Sequence, residues 1–148
     1  MTEIRFRRVE GNDLPLPAYA TAGAAGMDLR AFLPEGPVTF EQGQMKLVST
    51  GFSVELPHGT EMQIRPRSGL ALKHGLIIPN APGTVDEDYR GVVMVGLYLL
   101  GSMPLTINHG DRIAQGVIAD VRRYPMVEVV KLSETERGGG GFGSTGRG

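Results

Sequence analysis

Apolar and polar residues alternate along several short stretches of the chain, and this alternation predicts β-strands. Residues 50–56 place Phe52, Val54 and Leu56 on one face, and residues 60–65 repeat the arrangement with Met and Ile. Side chains on a strand point alternately to its two faces, so a period of two indicates strands with one buried face.

Three further stretches predict strands with a different environment. Residues 76–78 and 92–100 are almost continuously apolar, which is typical of strands buried on both faces or lying at a subunit contact. Residues 112–121 are expected to hold one apolar face that Gln115 interrupts and that otherwise consists of Ile113, Val117, Ala119 and Val121.

Clusters of Pro and Gly separate these stretches, and one short helix is predicted over residues 68–75, with Ser68 as its N-cap and Gly75 as its stop. Short strands joined by many turns favour an all-β jelly roll or β-barrel. We expect residues 1–133 to form this barrel domain. Residues 134–148 are polar and Gly-rich, and we expect them to form a flexible C-terminal arm.

Composition narrows the class of protein. The 148 residues fit one domain, and 22 Gly with 10 Pro disfavour a helical bundle. A net charge of −1 argues against a general nucleic-acid binder, and the absence of Cys excludes disulfides and thiolate metal sites. No apolar run reaches the roughly 18 residues of a membrane span. We therefore expect a cytoplasmic protein with no nucleic-acid or membrane partner.

Five segments combine glycines with polar or charged residues, so that the backbone can approach a ligand closely. They are AGMDLRA at 25–31, RPRSGLA at 65–71, NAPGTVDEDYRG at 80–91, GDRIAQ at 110–115 and RGGGGFGSTG at 137–146.

Each segment alone also has an ordinary explanation. Asp28 fits a solvent-facing strand position, and Arg65 and Arg67 fit a helix start with solvated arginines as well as a phosphate site. Acidic residues in 80–91 suit turn geometry, and Gln115 suits a buried amide. The residues and their spacing predict a possible phosphate or nucleotide site and nothing sharper.

In this order, the five segments resemble the five motifs of the homotrimeric deoxyuridine triphosphatase (dUTPase) family over positions 23–146. PRSGLA, GTVDEDYRG, GDRIAQ and RGGGGFGSTG are close to verbatim. The resemblance implies Mg²⁺-assisted hydrolysis of dUTP to dUMP and pyrophosphate by a trimer of jelly rolls. Each active site would take the second and fourth motifs from one chain, the third from a neighbour and the Gly-rich arm from the third chain.

The resemblance also implies roles for individual residues. Asp86 would be the general base for water attacking the α-phosphorus, and it would contact the sugar 3′-hydroxyl. Gln115 would help to position that water, and Asp28 would hold Mg²⁺ through water. The phosphate oxygens would be bound by Arg67, Ser68 and Gly69.

Selectivity would lie in the hairpin from Asn80 to Tyr89. Asn80 and the main chain would match the uracil edge, and Gly83 would allow the close backbone approach that refuses a thymine methyl group. Tyr89 would pack on deoxyribose where a ribose 2′-hydroxyl would sit. The remaining pocket wall would consist of Thr84, Val85 and Met94.

The Gly-rich arm would close the site. Phe142 would stack on the uracil ring, and closure would exclude water. The arm's contacts with the substrate, mainly with its phosphates, would come from Arg137, Gly143, Ser144 and Thr145.

Two alternatives stay open. A dCTP deaminase shares the fold. The resemblance implies that a deaminase site would carry a Glu on the strand after the hairpin, and this chain has Gly96 at that position. A non-catalytic jelly-roll module is opposed by the intact Asp28, Asp86, Gln115 and Arg137. Departures from the family pattern at Val92, Leu99 and Gly116 predict altered packing in the core or at the trimer axis.

Overall fold

A computed structural model describes residues 3–141 of the chain. Within them the chain forms eleven strands and one helix. In chain order these are β1 (Arg5–Arg8), β2 (Ala18–Tyr19), β3 (Gly26–Arg30), β4 (Val38–Phe40), β5 (Met45–Glu55), β6 (Thr60–Arg65), α1 (Ser68–His74), β7 (Leu76–Ile77), β8 (Gly83–Val85), β9 (Val92–Leu99), β10 (Leu105–Ile107) and β11 (Arg112–Asp120).

Two larger antiparallel sheets enclose the core. One has the strand order β1-β5-β9-β7, the other β2-β3-β11-β6-β8, and β4 pairs with β10 in a small third sheet. The main cluster of buried residues contains Leu29, Met62 and Val95, each no more than 1% exposed, and draws on both larger sheets. The expected all-β, jelly-roll-like architecture with one short helix is confirmed, although the described strands form open sheets and not a closed barrel.

Strand β9 buries one face only within this chain. Val93, Val95, Leu97 and Leu99 are buried, whereas Met94 is 42% exposed. The prediction that this stretch is buried on both faces is therefore wrong for a single chain, because the side chains of β9 alternate between the core and the surface. The other expectation for this stretch, a subunit contact, stays a prediction.

Strand β11 differs from the face predicted for it. Its pairing with β3 shifts register before Ala114, so Ile113 and Ala114 are both buried. Such a β-bulge reverses the faces of the residues that follow it. Gln115 and Val117 consequently lie on the outer face of the sheet, while Gly116 faces the core. Ile113 therefore does not share a face with Gln115 and Val117, and that part of the prediction for residues 112–121 is wrong.

Helix α1 ends as predicted but begins differently. Gly75 has a left-handed φ of 68°, and its N–H donates to the Ala71 carbonyl, as expected for a glycine stop. Ser68 is the first helical residue and not the N-cap, because the extended cap conformation falls on Arg67, which makes no side-chain cap hydrogen bond. In the part of the chain that the structure describes, no helix is long and apolar enough to cross a bilayer.

Candidate active site

A carboxylate, an amide and a guanidinium lie side by side on the outer face of the five-stranded sheet. Gln115 of β11 is directly opposite Asp28 of β3 on one side and Arg65 of β6 on the other. Directly opposed residues of antiparallel strands share a face, so the three side chains project together. The bulge in β11 is what gives Gln115 this position.

Asp28 lies between two arginines. Its Oδ1 is 3.4 Å from Nε of Arg67, and its Oδ2 is 3.3 Å from Nη1 of Arg112. The Asp28 side chain is 17% exposed, so these contacts are partly shielded from water. Arg67 Nε is buried beside the Asp28 carboxylate and forms no hydrogen bond of good geometry within residues 3–141.

Two clefts open beside this group. One, of about 280 Å³, is lined by Asp28, Arg30 and Arg112 together with residues of the 15–20 segment. The other, of about 330 Å³, includes Arg67, Asp111 and Arg112. Ser68 and Gly69 open α1 directly after Arg67, and the first N–H groups of a helix have no partner within it. Three arginines (Arg30, Arg67 and Arg112) and two carboxylates line these clefts, and this excess of positive charge suits a polyphosphate chain.

A third, smaller cleft brings together the residues predicted to bind the base. Gly83 is buried there, and a Cβ at this position would lie 3.3 Å from both Asn80 Nδ2 and Ile64 Cβ. Any larger residue at this position would press on these two neighbours. The cleft has a volume of about 70 Å³ and is lined by Ile64, Ile78, Asn80, Gly83, Thr84, Val85, Met94 and Gly96.

Asp86 is separated from these groups within one chain. It is exposed immediately after β8, where its carbonyl accepts the N–H of Tyr89 at 3.1 Å. On β6, the residue opposite Val85 is Met62, whereas the residue opposite Gln115 is Arg65. Three residues of strand span about 10 Å. A single chain therefore does not place the Asp86 carboxylate beside Gln115.

Tyr89 folds back over Gly91, a residue that the sequence analysis did not single out. The Tyr89 hydroxyl donates to the Val92 carbonyl at 3.1 Å. A Cβ on Gly91 would lie 2.3 Å from the Tyr89 hydroxyl oxygen, so glycine leaves room for the ring. The spacing of a tyrosine and a glycine two residues apart in DYRG is the one sequence signal for this contact.

Glu87 is a second residue that the sequence analysis missed. Its Oε2 accepts the N–H of Gly59 at 2.6 Å, and its Oε1 is 3.0 Å from Nδ1 of His58 and 3.5 Å from Nη1 of Arg123. The hydrogen bond from Gly59 is the main cause that lowers the pKa of Glu87, assisted by His58 and Arg123. The three partners are 28, 29 and 36 residues away in sequence, so no local pattern predicts them.

The chain after β11 is mostly exposed. Arg137 lies in a turn, where its Nε donates to the Gly140 carbonyl at 2.9 Å, and the structure does not bring it near Asp28 or Asp86. Phe142, Gly143, Ser144 and Thr145 lie outside the described residues. Within residues 3–141, no three His, Asp or Glu side chains are grouped so that they could hold a metal ion by themselves.

The fold matches those of solved dUTPases. The Staphylococcus bacteriophage 80alpha dUTPase with dUpNHpp superposes with a TM-score of 0.84 at 24% identity, covering 99% of both chains. A mutant dUTPase from phage phi11 of S. aureus, described with a coordinated structural Mg(II) ion, has a TM-score of 0.79 at 20% identity, covering 89% of this chain and 99% of that one. These likenesses define a dUTPase-type all-β fold.

Sequence similarity is much higher to bacterial proteins named deoxyuridine 5′-triphosphate nucleotidohydrolase. The one from Caulobacter vibrioides is 62% identical over 145 residues, covering 97% of this chain and 94% of the relative. The one from Desulfotalea psychrophila is 54% identical over 147 residues, covering 97% of each. The dUTPase family model matches residues 12–146. The chain belongs to the dUTPase family.

Proposed function

We propose that this chain is a dUTP diphosphatase that hydrolyses dUTP to dUMP and pyrophosphate, removing dUTP and supplying dUMP for thymidylate synthesis. The observation that carries the proposal is that the residues predicted to bind substrate lie in two distinct regions of the surface. The residues predicted to bind the uracil base line the cleft of about 70 Å³, which we call the base-side cleft. Arg67 and Arg112 flank Asp28 on what we call the phosphate side. Membership of the dUTPase family supports the same reaction.

The phosphate side is suited to binding and aligning a triphosphate. Arg67 and Arg112 line a cleft and would contact phosphate oxygens, as would the main chain of Ser68 and Gly69. Because Asp28 already holds both arginines, they are partly ordered before substrate arrives. Such preorganisation of charge supplies most of the catalysis in phosphoryl-transfer chemistry.

Asp86 would act as the general base. Water is a poor nucleophile, and a carboxylate that accepts its proton lowers the barrier for attack on the α-phosphorus. The Gln115 amide, projecting beside Asp28, would orient that water. Pyrophosphate with its charge neutralised is a good leaving group, so this chain need not supply a strong acid.

The residues also fit a Mg²⁺ ion held mainly by the substrate. Mg²⁺ keeps several waters and is bound through one or two carboxylates plus phosphate oxygens. Asp28 supplies one carboxylate to the lining of the cleft of about 280 Å³, which suits an outer contact through water. When bound, the ion would neutralise triphosphate charge.

The base-side cleft and Tyr89 would set selectivity. A site that hydrogen-bonds the uracil edge through Asn80 and the main chain would leave buried groups unpaired with cytosine. Gly83 would let the backbone of the cleft wall lie close to the base, and Thr84, Val85 and Met94 complete that wall. The Tyr89 ring would fill the space that a ribose 2′-hydroxyl needs.

The proposed assembly is a homotrimer with shared active sites. The distance between Asp86 and Gln115 within one chain supports a site in which these residues come from different copies. Exposed apolar side chains on β5 support self-association, since Met45 and Leu47 are 65% and 71% exposed. The extended segment 121–132 exposes a second apolar set, consisting of Tyr124, Met126, Val127, Val129, Val130 and Leu132.

The C-terminal arm would complete the site from a third copy. Arg137 would reach the phosphates with Ser144 and Thr145, and Phe142 would stack on uracil. Arg137 is exposed, and its recorded side-chain contact is within its own turn, which is compatible with movement towards another chain. The reaction is proposed to occur in the cytoplasm, where nucleoside triphosphates are made and used.

Product analysis tests the proposal. The purified protein is incubated with dUTP or dCTP and Mg²⁺, and the products are separated by ion-exchange chromatography. We expect dUMP and pyrophosphate from dUTP. Formation of dUTP from dCTP would instead favour a deaminase, which Gly96 opposes, and no turnover of either nucleotide would favour a non-catalytic module.

A further inference from the structure

Glu87 occupies an unusual position for an acidic turn residue. It follows Asp86 directly, in a segment where Asp86, Asp88 and Tyr89 are all exposed, yet its side chain is only 18% exposed. The side chain turns away from solvent towards the 57–60 turn. A role in solubility or turn geometry does not explain that burial.

The contact with the 57–60 turn is specific. Oε2 of Glu87 accepts the N–H of Gly59 at 2.6 Å, a charge-assisted hydrogen bond of the short, strong kind. Gly59 has a φ of +79°, a conformation that side chains rarely adopt and glycine adopts freely. The carbonyl of Gly59 accepts the N–H of Val121 at 2.8 Å, so the same turn is also tied to the end of β11.

The remaining contacts are weaker. Oε1 of Glu87 lies 3.0 Å from His58 and 3.5 Å from Arg123, but these two side chains are 91% and 61% exposed. Ion pairs of that kind contribute little to stability. On its own segment, Arg90 donates to the Glu87 carbonyl at 2.6 Å. The Gly59 amide is therefore the principal anchor, and the lowered pKa of Glu87 agrees with that order of causes.

We propose that Glu87 is a positioning residue that fixes the Asp86 carboxylate for catalysis by fastening its turn to the Gly59 amide. Asp86 has no recorded side-chain partner within residues 3–141, so its placement depends on the turn that follows it. A misplacement of about 1 Å in a catalytic group can cost around 100-fold in rate. This inference rests on the proposed dUTP hydrolysis.

Three substitutions separate geometry from charge. Glu87→Gln keeps an oxygen that can accept the Gly59 N–H but removes the charge. Glu87→Asp keeps the charge but shortens the side chain by one carbon–carbon bond, about 1.5 Å, which breaks the contact. Glu87→Ala removes both. Glu35→Ala, at an exposed turn carboxylate with no recorded side-chain contact among the described residues, is the matched control.

Steady-state kinetics with dUTP and Mg²⁺ measure the effect. For Glu87→Asp and Glu87→Ala we expect kcat to fall roughly 10- to 100-fold while KM stays within about threefold, because alignment and not substrate binding is lost. Glu87→Gln should retain kcat within about threefold, with the acid limb of its pH profile unmoved. Glu35→Ala should match the wild type.

The opposite pattern overturns the inference. Normal kcat in Glu87→Asp with a large loss in Glu87→Gln, or a displaced acid limb in Glu87→Gln, would mean that Glu87 acts by its charge. Equal losses in Glu87→Gln and Glu87→Ala would also contradict it, and a large loss of kcat in a folded Glu87→Gln would overturn it even if the other variants fail to fold. A wild type without dUTP turnover would contradict the proposed function, whereas an active wild type with unaffected Glu87→Asp would contradict this inference alone.

Discussion

Replacing Gly91 by alanine should weaken discrimination against ribonucleotides while leaving the fold intact. The new Cβ would lie 2.3 Å from the hydroxyl oxygen of Tyr89 and 2.5 Å from its Cζ. Ordinary contacts begin near 3.4 Å, so the ring must move by about 1 Å. Gly91 does not have a positive φ, so alanine is compatible with the backbone there.

The structural cost of this displacement is small. It breaks the hydrogen bond from Tyr89 to the Val92 carbonyl, a loss of about 0.5–1.5 kcal/mol. Tyr89 is 44% exposed and its ring can move into solvent, so the free energy of unfolding should fall by no more than that amount. The functional cost is larger, because the displaced ring no longer refuses a 2′-hydroxyl. A steric discrimination of about 1–3 kcal/mol corresponds to roughly 10- to 100-fold in selectivity.

The assay compares kcat/KM for dUTP and for UTP. We expect the dUTP preference of Gly91→Ala to fall roughly 10- to 100-fold, with kcat/KM for dUTP lowered less than about tenfold. The control is Gly23→Ala, where an added Cβ meets nothing within 4 Å and the preference should not change. An unchanged preference in Gly91→Ala would refute the role assigned to the position of the Tyr89 ring.

Three other changes test separate parts of the account. Asp86→Asn should lower kcat roughly 100- to 10,000-fold while a non-hydrolysable dUTP analogue binds nearly as before by calorimetry, and near-normal turnover would rule out Asp86 as the base. Deleting residues 137–148 should remove most activity but leave the number of chains per oligomer unchanged in light scattering, and an undiminished rate would refute closure by the arm. The pKa of Glu87 is lowered in the folded protein, so its contribution to stability should be present above the ordinary pKa of about 4.5 and disappear as pH falls through the folded value. In urea unfolding, the advantage of the wild type over Glu87→Gln should therefore shrink from about pH 6 to about pH 3, and a constant advantage would contradict this assignment.

Local patterns explain which parts of the structure could be predicted. The alternation in 60–65 reflects one buried face and coincides with β6, and the left-handed conformation at Gly75 follows from glycine alone. Half of the residues that line the base-side cleft come from the short segment 80–85, so a motif along the chain identifies these members together.

Features that depend on distant parts of the chain could not be predicted in this way. The outward position of Gln115 depends on a bulge formed against β3, which the apolar pattern does not encode. The contact of Glu87 with Gly59 joins residues 28 positions apart. The distance between Asp86 and Gln115 follows from strand register, which only the paired sheet reveals.

The central claim is that one dUTP-hydrolysing site combines Asp86 of one copy with Gln115 of another. To test it directly, the two inactive variants Asp86→Asn and Gln115→Ala are unfolded, mixed in equal amounts and refolded together. In a randomly mixed closed trimer, about a quarter of the sites would pair an intact Asp86 with an intact Gln115. The account predicts that about a quarter of wild-type dUTP turnover returns in the mixture but in neither variant alone. Absence of recovery in mixed trimers of normal mass would contradict it.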